Sequence, residues 1–480
     1  MRDYMSQLAR NTSYFTLALV LQKIISLSYF TLYARYLGAA DLGLYYFAIS
    51  VTSIFGIFID FGIGNVITRE VSKAPEKAKS ILANVMALKL PLALITIGAL
   101  VLWSTLWDYE PIVKQLIYIS CITMLFDGFT NAFFAVARGF HNLKYESISS
   151  VLFQLIVLVL SLFILKEDWG IAWLMSTLAL ASAFNFFYAM FTVRNVWKIG
   201  PWPRWDPVLI RSLVKLTLPF GMFVVVQRFY TYFDSVLLFK LAGDRAVGLY
   251  QVPFKIIIAL QFLPLAFVAS LYPTLSSYWH NAREKLSVAL EQGIKYCLLI
   301  SIPLSVGAII LADQIVLLFK NDFGESAMLL RVSMLAVPFM FVGFPIGSLL
   351  NACDRQKRNT VNMTITAFLS AAINIILIPR YGVLGACITT VISSIVMLVL
   401  GVIVVPSITK LRIKTLLLMI VQVLAAATVM GILTYILKEY LNPIVTILIS
   451  AASYGVALYI FGVFSKEEIK SALRVFHKSV

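Results

Sequence analysis

The stretch from Tyr33 to Glu70 is YARYLGAADLGLYYFAISVTSIFGIFIDFGIGNVITRE, and it joins two long apolar segments through a short turn that contains glycine. The first segment covers residues 13–34, and the second covers residues 44–67. Each is close to the ~20 residues that a helix needs to cross a bilayer. No small-x-small cleavage site follows the first segment, so we expect a retained helix rather than a cleaved signal peptide.

The rest of the chain repeats this alternation of apolar segments and short loops. Of its 480 residues, 60% are hydrophobic and only 13% are charged, whereas soluble domains have roughly 45–50% apolar and about 25% charged residues. We therefore predict an all-α, polytopic membrane bundle of about fourteen transmembrane helices. We place the helices at approximately 13–34, 44–67, 81–105, 112–137, 147–165, 171–193, 216–239, 247–271, 294–318, 327–350, 361–378, 383–405, 415–437 and 443–464.

The net charge of +16 comes mainly from loops on one side of the predicted bundle. Lysine and arginine collect in every second loop, and cytoplasmic loops of membrane proteins have this bias. The pattern predicts a cell-membrane protein with both termini in the cytoplasm, and we expect no nucleic-acid partner. The basic loops include Arg69, Lys73, Arg138, Lys144, Arg194, Arg211, Arg283, Lys285, Arg355, Arg358, Lys410 and Lys414.

Motifs for catalysis, metal binding and cofactor binding are missing from the sequence. There is no P-loop, no H-E-x-x-H and no G-x-S-x-G, and no loop exceeds roughly 25 residues, so a soluble catalytic domain has no room. We predict no enzymatic activity, no catalytic residue, no metal site and no cofactor. The four cysteines are expected to be small apolar helix residues rather than disulfide or metal partners: Cys121, Cys297, Cys353 and Cys387.

The two halves of the chain resemble each other. Gln22-Lys23 recurs as Gln227-Arg228, and Gly43-Leu44-Tyr45 recurs as Gly248-Leu249-Tyr250, both 205 residues later. Each half begins in the cytoplasm and holds about six helices, so the repeats are parallel, a known transporter architecture. We predict an N-terminal lobe (1–195), a cytoplasmic linker (196–215), a C-terminal lobe (216–406), and two extra helices with a cytoplasmic tail (407–480).

The candidate substrate-binding residues are basic residues at membrane depth. A charge at the bilayer centre costs about 2.5–3.5 kcal/mol or more, so such residues normally face a polar interior. Lys23 and Arg228 occupy the same repeat position, each after a glutamine (Gln22, Gln227), and would suit a phosphate. Alternatively, they form internal ion pairs with Asp60 or Asp234. Lys255 either joins the binding site or extends toward the membrane surface.

Three carboxylates are candidates for coupling transport to an ion. Gly56, Asp60 and Gly64 share one helix face, where small residues permit close helix packing. Asp60 could bind a proton or cation, or could pair with Lys23. Asp127 and Asp234 are the other candidates. Lys89 is expected to extend toward the lipid headgroups rather than to take part in the site.

Several motifs resemble those of the Wzx-like polysaccharide flippases, which belong to the multidrug/oligosaccharidyl-lipid/polysaccharide exporter superfamily. They are Arg35-Tyr36-Leu37-Gly38, Gly43-Leu44-Tyr45 and Asp60-Phe61-Gly62-Ile63-Gly64 in the first half. In the second half, the segment from Asn374 to Ala386 (NIILIPRYGVLGA) matches the family pattern before helix 12. The Arg-rich first helix typical of the lipid II flippases is not matched.

The resemblance implies two six-helix lobes that move a polyprenyl-(pyro)phosphate-linked oligosaccharide from the cytoplasmic to the outer leaflet by alternating access. The expected partners are this lipid-linked substrate, the bilayer, a coupling proton or Na⁺, and glycan-assembly enzymes. The first alternative is a cation- or proton-coupled multidrug exporter of the same superfamily. The second is a membrane-embedded glycan polymerase or glycosyltransferase, although such enzymes usually have a large external loop.

Overall fold

The structure is a computed structural model that describes residues 2–319 and 321–463, with side chains for 17–218, 220–319 and 322–463. Helices and no strands occur in these residues, which confirms the all-α prediction. The cytoplasmic tail predicted after the last helix lies outside the described residues. The chain forms two compact units: residues up to Gln251 with Ala367–Ala386, and Val252–Thr366 with the residues from Cys387 onward.

The first unit contains eight complete helices and the beginning of a ninth. Its core is formed by apolar side chains of the third, fourth, fifth, seventh and eighth helices, including Ile67, Leu82, Phe133, Val193 and Leu213. The helices are α1 (Arg2–Phe55), α2 (Ile57–Asp60), α3 (Ile63–Lys73), α4 (Ala78–Leu106), α5 (Pro111–Gly139), α6 (Lys144–Glu167), α7 (Ile171–Trp197), α8 (Pro207–Ala242) and α9 (Asp244–Leu260).

The second unit contains most of the remaining helices. Three helices cross the division: α9 and α16 begin in the first unit and end in the second, and α15 begins in the second unit and ends in the first. The helices are α10 (Phe262–Asn281), α11 (Leu286–Ile310), α12 (Ala312–Val316), α13 (Ser326–Met334), α14 (Val337–Ala352), α15 (Gln356–Tyr381), α16 (Val383–Val404), α17 (Ile413–Leu437) and α18 (Pro443–Ile460).

The last two helices pack within the second unit. α17 contacts α11 and α18, and the Tyr454 hydroxyl of α18 donates to the Leu299 carbonyl of α11 at 3.0 Å. Just before α17, the backbone N–H and the Nε of Arg412 each donate to the Glu291 carboxylate at 2.8 Å. The helices outside the predicted repeat are thus held by α11.

The number of membrane crossings agrees with the sequence. In the described residues, twelve helical segments are long and apolar enough to span a bilayer, and the bent pair α13–α14 makes a thirteenth. One of the twelve, Leu17–Lys73, has 57 residues, which is enough for two crossings at about 1.5 Å per residue. Its helix is interrupted at Gly38, and its two parts match the first two predicted helices, which is consistent with the prediction of about fourteen.

The backbone also repeats where the sequence does. Gly38 and Gly243 are 205 residues apart and have nearly the same conformation, with φ of 76° and 87° and ψ of −178° and −179°. These φ values favour glycine. The repeated Gly43 and Gly248 lie close to each other's segment, since an added Cβ would collide with the carbonyl oxygen of Asp244 or Ala39, respectively. The boundaries of the two lobes stay a prediction, because the two compact units reflect packing within the structure and not the sequence repeat.

Candidate functional site: a polar cavity beside a broken helix

The candidate site begins at a break in the second predicted membrane helix. α2 ends at Asp60, and α3 begins at Ile63. The two residues between them, Phe61 and Gly62, have positive φ angles of 37° and 78°. A left-handed conformation ends a helix, and glycine adopts it without steric cost. The break therefore places the Asp60 carboxylate at a helix end in the interior of the first unit.

Asp60 is held by a lysine and an asparagine from neighbouring helices. The Lys89 Nζ of α4 lies 2.6 Å from Asp60 Oδ1 and also donates to the Gly128 carbonyl oxygen at 2.7 Å. The Asn131 amide of α5 donates to the other carboxylate oxygen at 2.9 Å. Lys89 is completely buried, so its charge needs this carboxylate.

The hydrogen bonds continue along α5 to a second ion pair. Asn131 Oδ1 accepts from Arg138 at 2.8 Å, and the same guanidinium lies 2.7 Å from the Glu146 carboxylate of α6. We call Lys89, Asp60, Asn131, Arg138 and Glu146 the polar network. It contains two cations and two carboxylates, so its charges balance.

A polar cavity of about 370 Å³ lies beside this network and is walled by α8 on the other side. Gln227 and Arg228 of α8 are both exposed, and both line the cavity. The complete lining is Asp60, Gly62, Asn65, Asn131, Arg138, Val224, Gln227, Arg228, Thr231 and Tyr232. This cavity, referred to below as the polar cavity, lies entirely within the first unit.

Arg228 is the cation of this cavity that has no carboxylate bonded to it among the described residues. Its guanidinium carbon lies 5.9 Å from the ring centre of Tyr232, at the outer limit for a cation–π contact. Asp127 interacts with it electrostatically, but among the described residues the two form no salt bridge. Arg138, the other lining cation, is already paired. Arg228 is thus available to an anionic ligand, and arginine suits phosphate because its donors form a planar fork.

The two remaining carboxylates have neutral hydrogen-bond partners. The Asn374 amide of α15 donates to Asp234 Oδ1 at 2.7 Å, and the Tyr250 hydroxyl donates to Oδ2 at 3.4 Å. Asp127 accepts from the Ser182 hydroxyl of α7 at 2.7 Å. All these residues belong to the first unit. Asp127 is exposed and Asp234 is half-buried, and a carboxylate without a cation bonded to it can gain a proton or a cation at little structural cost.

The structure brings together some of the predicted site residues. Gln227 and Arg228 share the polar cavity with Asp60. Gln22 and Lys23 are half-buried on α1, and in the described part of the chain they do not line this cavity. Lys255 is half-buried on α9, in the second unit. Substrate binding by Lys23, Gln22 and Lys255 stays a prediction.

The expectation for Lys89 was wrong, and the alternative ion pairs are not those of this structure. Lys89 does not extend toward the headgroups, because α4 begins at Ala78 and Lys89 therefore lies about 16 Å along the helix. It pairs with Asp60, so the alternative in which Asp60 pairs with Lys23 is not the arrangement of this structure. Asp234 is likewise bonded to Asn374 and Tyr250 rather than to Arg228.

The sequence did not indicate Asn131, Arg138 and Glu146 as parts of the site. Asn131 and Arg138 are seven residues apart and so share a helix face. Arg138 and Glu146 flank the short connection between α5 and α6. These spacings are a usable signal only once the helix ends are known.

The chain matches two family models. Residues 8–279, more than half of the chain, match the family described as polysaccharide biosynthesis protein. Residues 219–379 match the family described as MatE. The first match contains Asp60, Lys89 and Arg228, and the whole lining of the polar cavity lies within the matched region.

One known relative covers most of the chain, and a second covers about a third of it. An uncharacterized membrane protein of Methanocaldococcus jannaschii is 24% identical over 426 residues, 82% of this chain and 83% of its own. The probable flippase AglR of Haloferax volcanii is 27% identical over 168 residues, which are 34% of this chain and 35% of that protein.

A solved structure shares the fold. The lipid II flippase MurJ in its inward closed conformation matches 93% of this chain and 98% of its own, with a TM-score of 0.76 and 20% identity. The family resemblance inferred from the motifs is confirmed by these matches. The chain belongs to the polysaccharide biosynthesis protein family, within the multidrug/oligosaccharidyl-lipid/polysaccharide exporter superfamily.

Proposed function

We propose that this protein is a flippase that moves a polyprenyl-(pyro)phosphate-linked oligosaccharide from the cytoplasmic to the outer leaflet by alternating access. Its product would serve the assembly of a surface polysaccharide or glycoprotein. The family membership supports this function, as does the similarity to AglR, whose name is that of a probable flippase. The observation that carries the proposal is Arg228, exposed in a polar cavity and not bonded to a carboxylate among the described residues.

The charges of the first unit favour an anionic headgroup. Lys89 is compensated by Asp60, and Arg138 is compensated by Glu146, so the polar network contributes little net charge to the cavity. Arg228 then gives the polar cavity a positive net charge. A phosphate can accept two hydrogen bonds from one guanidinium, while Gln227, Asn65 and Thr231 offer neutral groups to sugar hydroxyls. Lys23, Gln22 and Lys255 are proposed as further substrate contacts.

The transport test uses purified protein in liposomes that contain a polyprenyl-phosphate-linked oligosaccharide. A glycan-binding probe outside the vesicles reports the fraction of substrate that reaches the outer leaflet. Arg228→Ala should reduce the rate strongly, by about 10- to 100-fold if one charged hydrogen bond of roughly 1.5–3 kcal/mol is lost. Arg228→Lys should retain part of the activity because it keeps the charge.

Lys215→Ala is the matched control, because Lys215 is an exposed cation on the same helix and does not line the polar cavity. It should transport at the wild-type rate. Normal transport by Arg228→Ala, with all variants equally well folded, would contradict the proposed role of Arg228.

The second candidate is a cation- or proton-coupled multidrug exporter of the same superfamily. The MatE match and the carboxylates Asp60, Asp127 and Asp234 favour it. Expression of the protein should then confer drug resistance, and that resistance should depend on at least one of these carboxylates. The absence of resistance together with flipping in liposomes would favour the flippase.

The proposal also covers the coupling ion, the membrane topology and the protein partners. Of the three carboxylates, we favour Asp234 for a coupling proton or Na⁺, because its described hydrogen-bond partners are neutral and, unlike Asp127, it has no described electrostatic interaction with Arg228. The distribution of basic loops favours the cell membrane with both termini in the cytoplasm. Glycan-assembly enzymes that supply and consume the substrate are the proposed protein partners.

A further inference from the structure

The first unit also contains an apolar groove of about 400 Å³ between the α2–α3 break, α4 and α8. Phe58, Phe61, Leu92, Ile95, Val214 and Leu218 form much of its wall. Its two hydroxyl groups are already used: Thr96 donates to the Leu92 carbonyl at 2.7 Å, and Thr217 donates to the Leu213 carbonyl at 2.8 Å. The groove thus offers contact area but no polar partner, and its volume is typical of a ligand pocket.

The groove opens on the side of the molecule that faces lipid. Ile95 is 68% exposed, and Phe58 and Leu218 are each 53% exposed. Exposed apolar side chains in the middle of membrane-spanning helices contact hydrocarbon. A hydrocarbon chain therefore fits both the apolar wall of the groove and the lipid around it.

The α2–α3 break separates this groove from the polar cavity. Asp60 and Gly62 line the polar cavity, while Phe61 between them lines the groove. The Phe61 ring crosses α8 at Gly221, where an added Cβ would collide with the ring. The two spaces are therefore neighbours across the α2–α3 break.

The same order appears along α8. Val214 and Leu218 line the groove, and Gln227 and Arg228 line the polar cavity. Leu218 and Arg228 are ten residues apart in the sequence, which corresponds to about 15 Å along the helix axis. A ligand that reaches both spaces must have an anionic group joined to an extended apolar chain.

We propose that the groove binds the part of the carrier's isoprenoid chain next to the phosphate, while that phosphate contacts Arg228. The inference rests on the proposed function, which supplies the lipid-linked substrate. A bulk phospholipid keeps its phosphate at the membrane surface, so its chain enters the groove without a headgroup in the cavity. The carrier makes both contacts with one molecule, which favours it in competition for the groove.

The transport test fills the groove with a large side chain. Ala99 lines the groove and is exposed, so Ala99→Trp adds an indole ring there without disturbing the core. Leu94→Trp is the control, because Leu94 is 71% exposed on the same helix and does not line the groove. Each variant is measured with the full-length glycolipid in liposomes and with a short-chain analogue that has the same phosphate and glycan.

Ala99→Trp should slow transport of the full-length glycolipid by about tenfold or more and leave binding of the short-chain analogue unchanged. Leu94→Trp should change neither the transport of the full-length glycolipid nor the binding of the short-chain analogue. Arg228→Ala should weaken both the transport and the binding. Wild-type transport by Ala99→Trp, or equal loss with both ligands, would overturn the inference while leaving the proposed function intact. Loss in Ala99→Trp alone, with normal behaviour of Arg228→Ala, would instead contradict the phosphate contact.

Photolabelling distinguishes the carrier from bulk lipid. A polyprenyl phosphate with a diazirine in its chain should label α4 and α8 peptides that line the groove, and Ala99→Trp should reduce this labelling. Unlabelled polyprenyl phosphate should compete, whereas phosphatidylglycerol at the same concentration should not. Equal competition by phosphatidylglycerol would mean that the groove binds lipid chains in general and would overturn the assignment to the carrier.

Discussion

Asp60 and Asp234 are carboxylates at membrane depth in the same unit, but their partners differ in charge. Asp60 is bonded to the buried ammonium of Lys89 and to the Asn131 amide. Asp234 is bonded to the Asn374 amide and the Tyr250 hydroxyl, which are both neutral. Membrane depth alone therefore does not assign a role to a carboxylate.

The difference has a physical consequence for each residue. Protonation of Asp60 would leave the Lys89 charge buried without compensation, which is costly in a medium of low dielectric constant. Protonation of Asp234, or binding of a cation to it, would leave no such charge behind. We therefore infer that Asp60 stabilises the fold beside the polar cavity and that Asp234 changes its charge during transport.

The largest expected effect comes from removing the lysine beside Asp60. Lys89→Met should destabilise the protein by about 3 kcal/mol, the lower end for a broken buried ion pair, because it removes the cation from a half-buried carboxylate that lines the polar cavity. Thermal unfolding in detergent measures the loss. Lys89→Met combined with Asp60→Asn should recover a large part of it, since the pair is then removed together. If Lys89→Met alone is as stable as the wild type, the proposed difference between Asp60 and Asp234 is contradicted.

The next effect concerns coupling at Asp234. Asp234→Asn keeps the shape of the side chain but cannot change its charge, so transport should lose its dependence on a proton or Na⁺ gradient. Typical coupling free energies of about 1–3 kcal/mol correspond to roughly 5- to 150-fold in affinity, which sets the scale of the gradient dependence that should be lost. Liposome transport with and without each gradient measures it. Asp127→Asn, at another carboxylate of the same unit, is the comparison, and unchanged gradient dependence in Asp234→Asn would contradict the assignment.

The smallest effects come from the two asparagines and sharpen the comparison. Asn374→Ala should cost about 1.5–3 kcal/mol, because Asp234 is left with a single long hydrogen bond from Tyr250. Asn131→Ala should cost only about 0.5–1.5 kcal/mol, since Asp60 keeps Lys89 and the adjoining polar cavity admits water. Chemical unfolding of both variants gives the order, and a larger loss for Asn131→Ala would reverse our interpretation.

Much of the fold could be predicted from the sequence because lipid imposes a simple rule on it. Every crossing needs a long apolar helix, so composition and loop charge were sufficient for the all-α bundle and for about fourteen helices. The break at Phe61 and Gly62 was not predicted, because a local left-handed turn leaves the apolar run uninterrupted. The family motif contains these residues, but the motif does not indicate their conformation.

Less of the candidate site could be predicted, because partners depend on which helix faces meet. The repeat identified Arg228 and Gln227, which line the polar cavity. The Lys89–Asp60 pair could not be inferred from spacing, since 29 residues and a helix connection separate the two. The predicted start of α4 at residue 81 was also three residues late, which made Lys89 appear closer to the membrane surface than it is.

The central claim is that this protein moves a lipid-linked oligosaccharide across the membrane through a cavity that binds phosphate. The most direct measurement depletes the protein in its own cell, determines how lipid-linked oligosaccharides are distributed between the two leaflets, and identifies them by mass. We predict accumulation on the cytoplasmic leaflet, relieved by the wild-type chain and not by a folded Lys23→Ala/Arg228→Ala variant. Normal outer-leaflet glycolipid after depletion, or full rescue by that variant, would contradict the account.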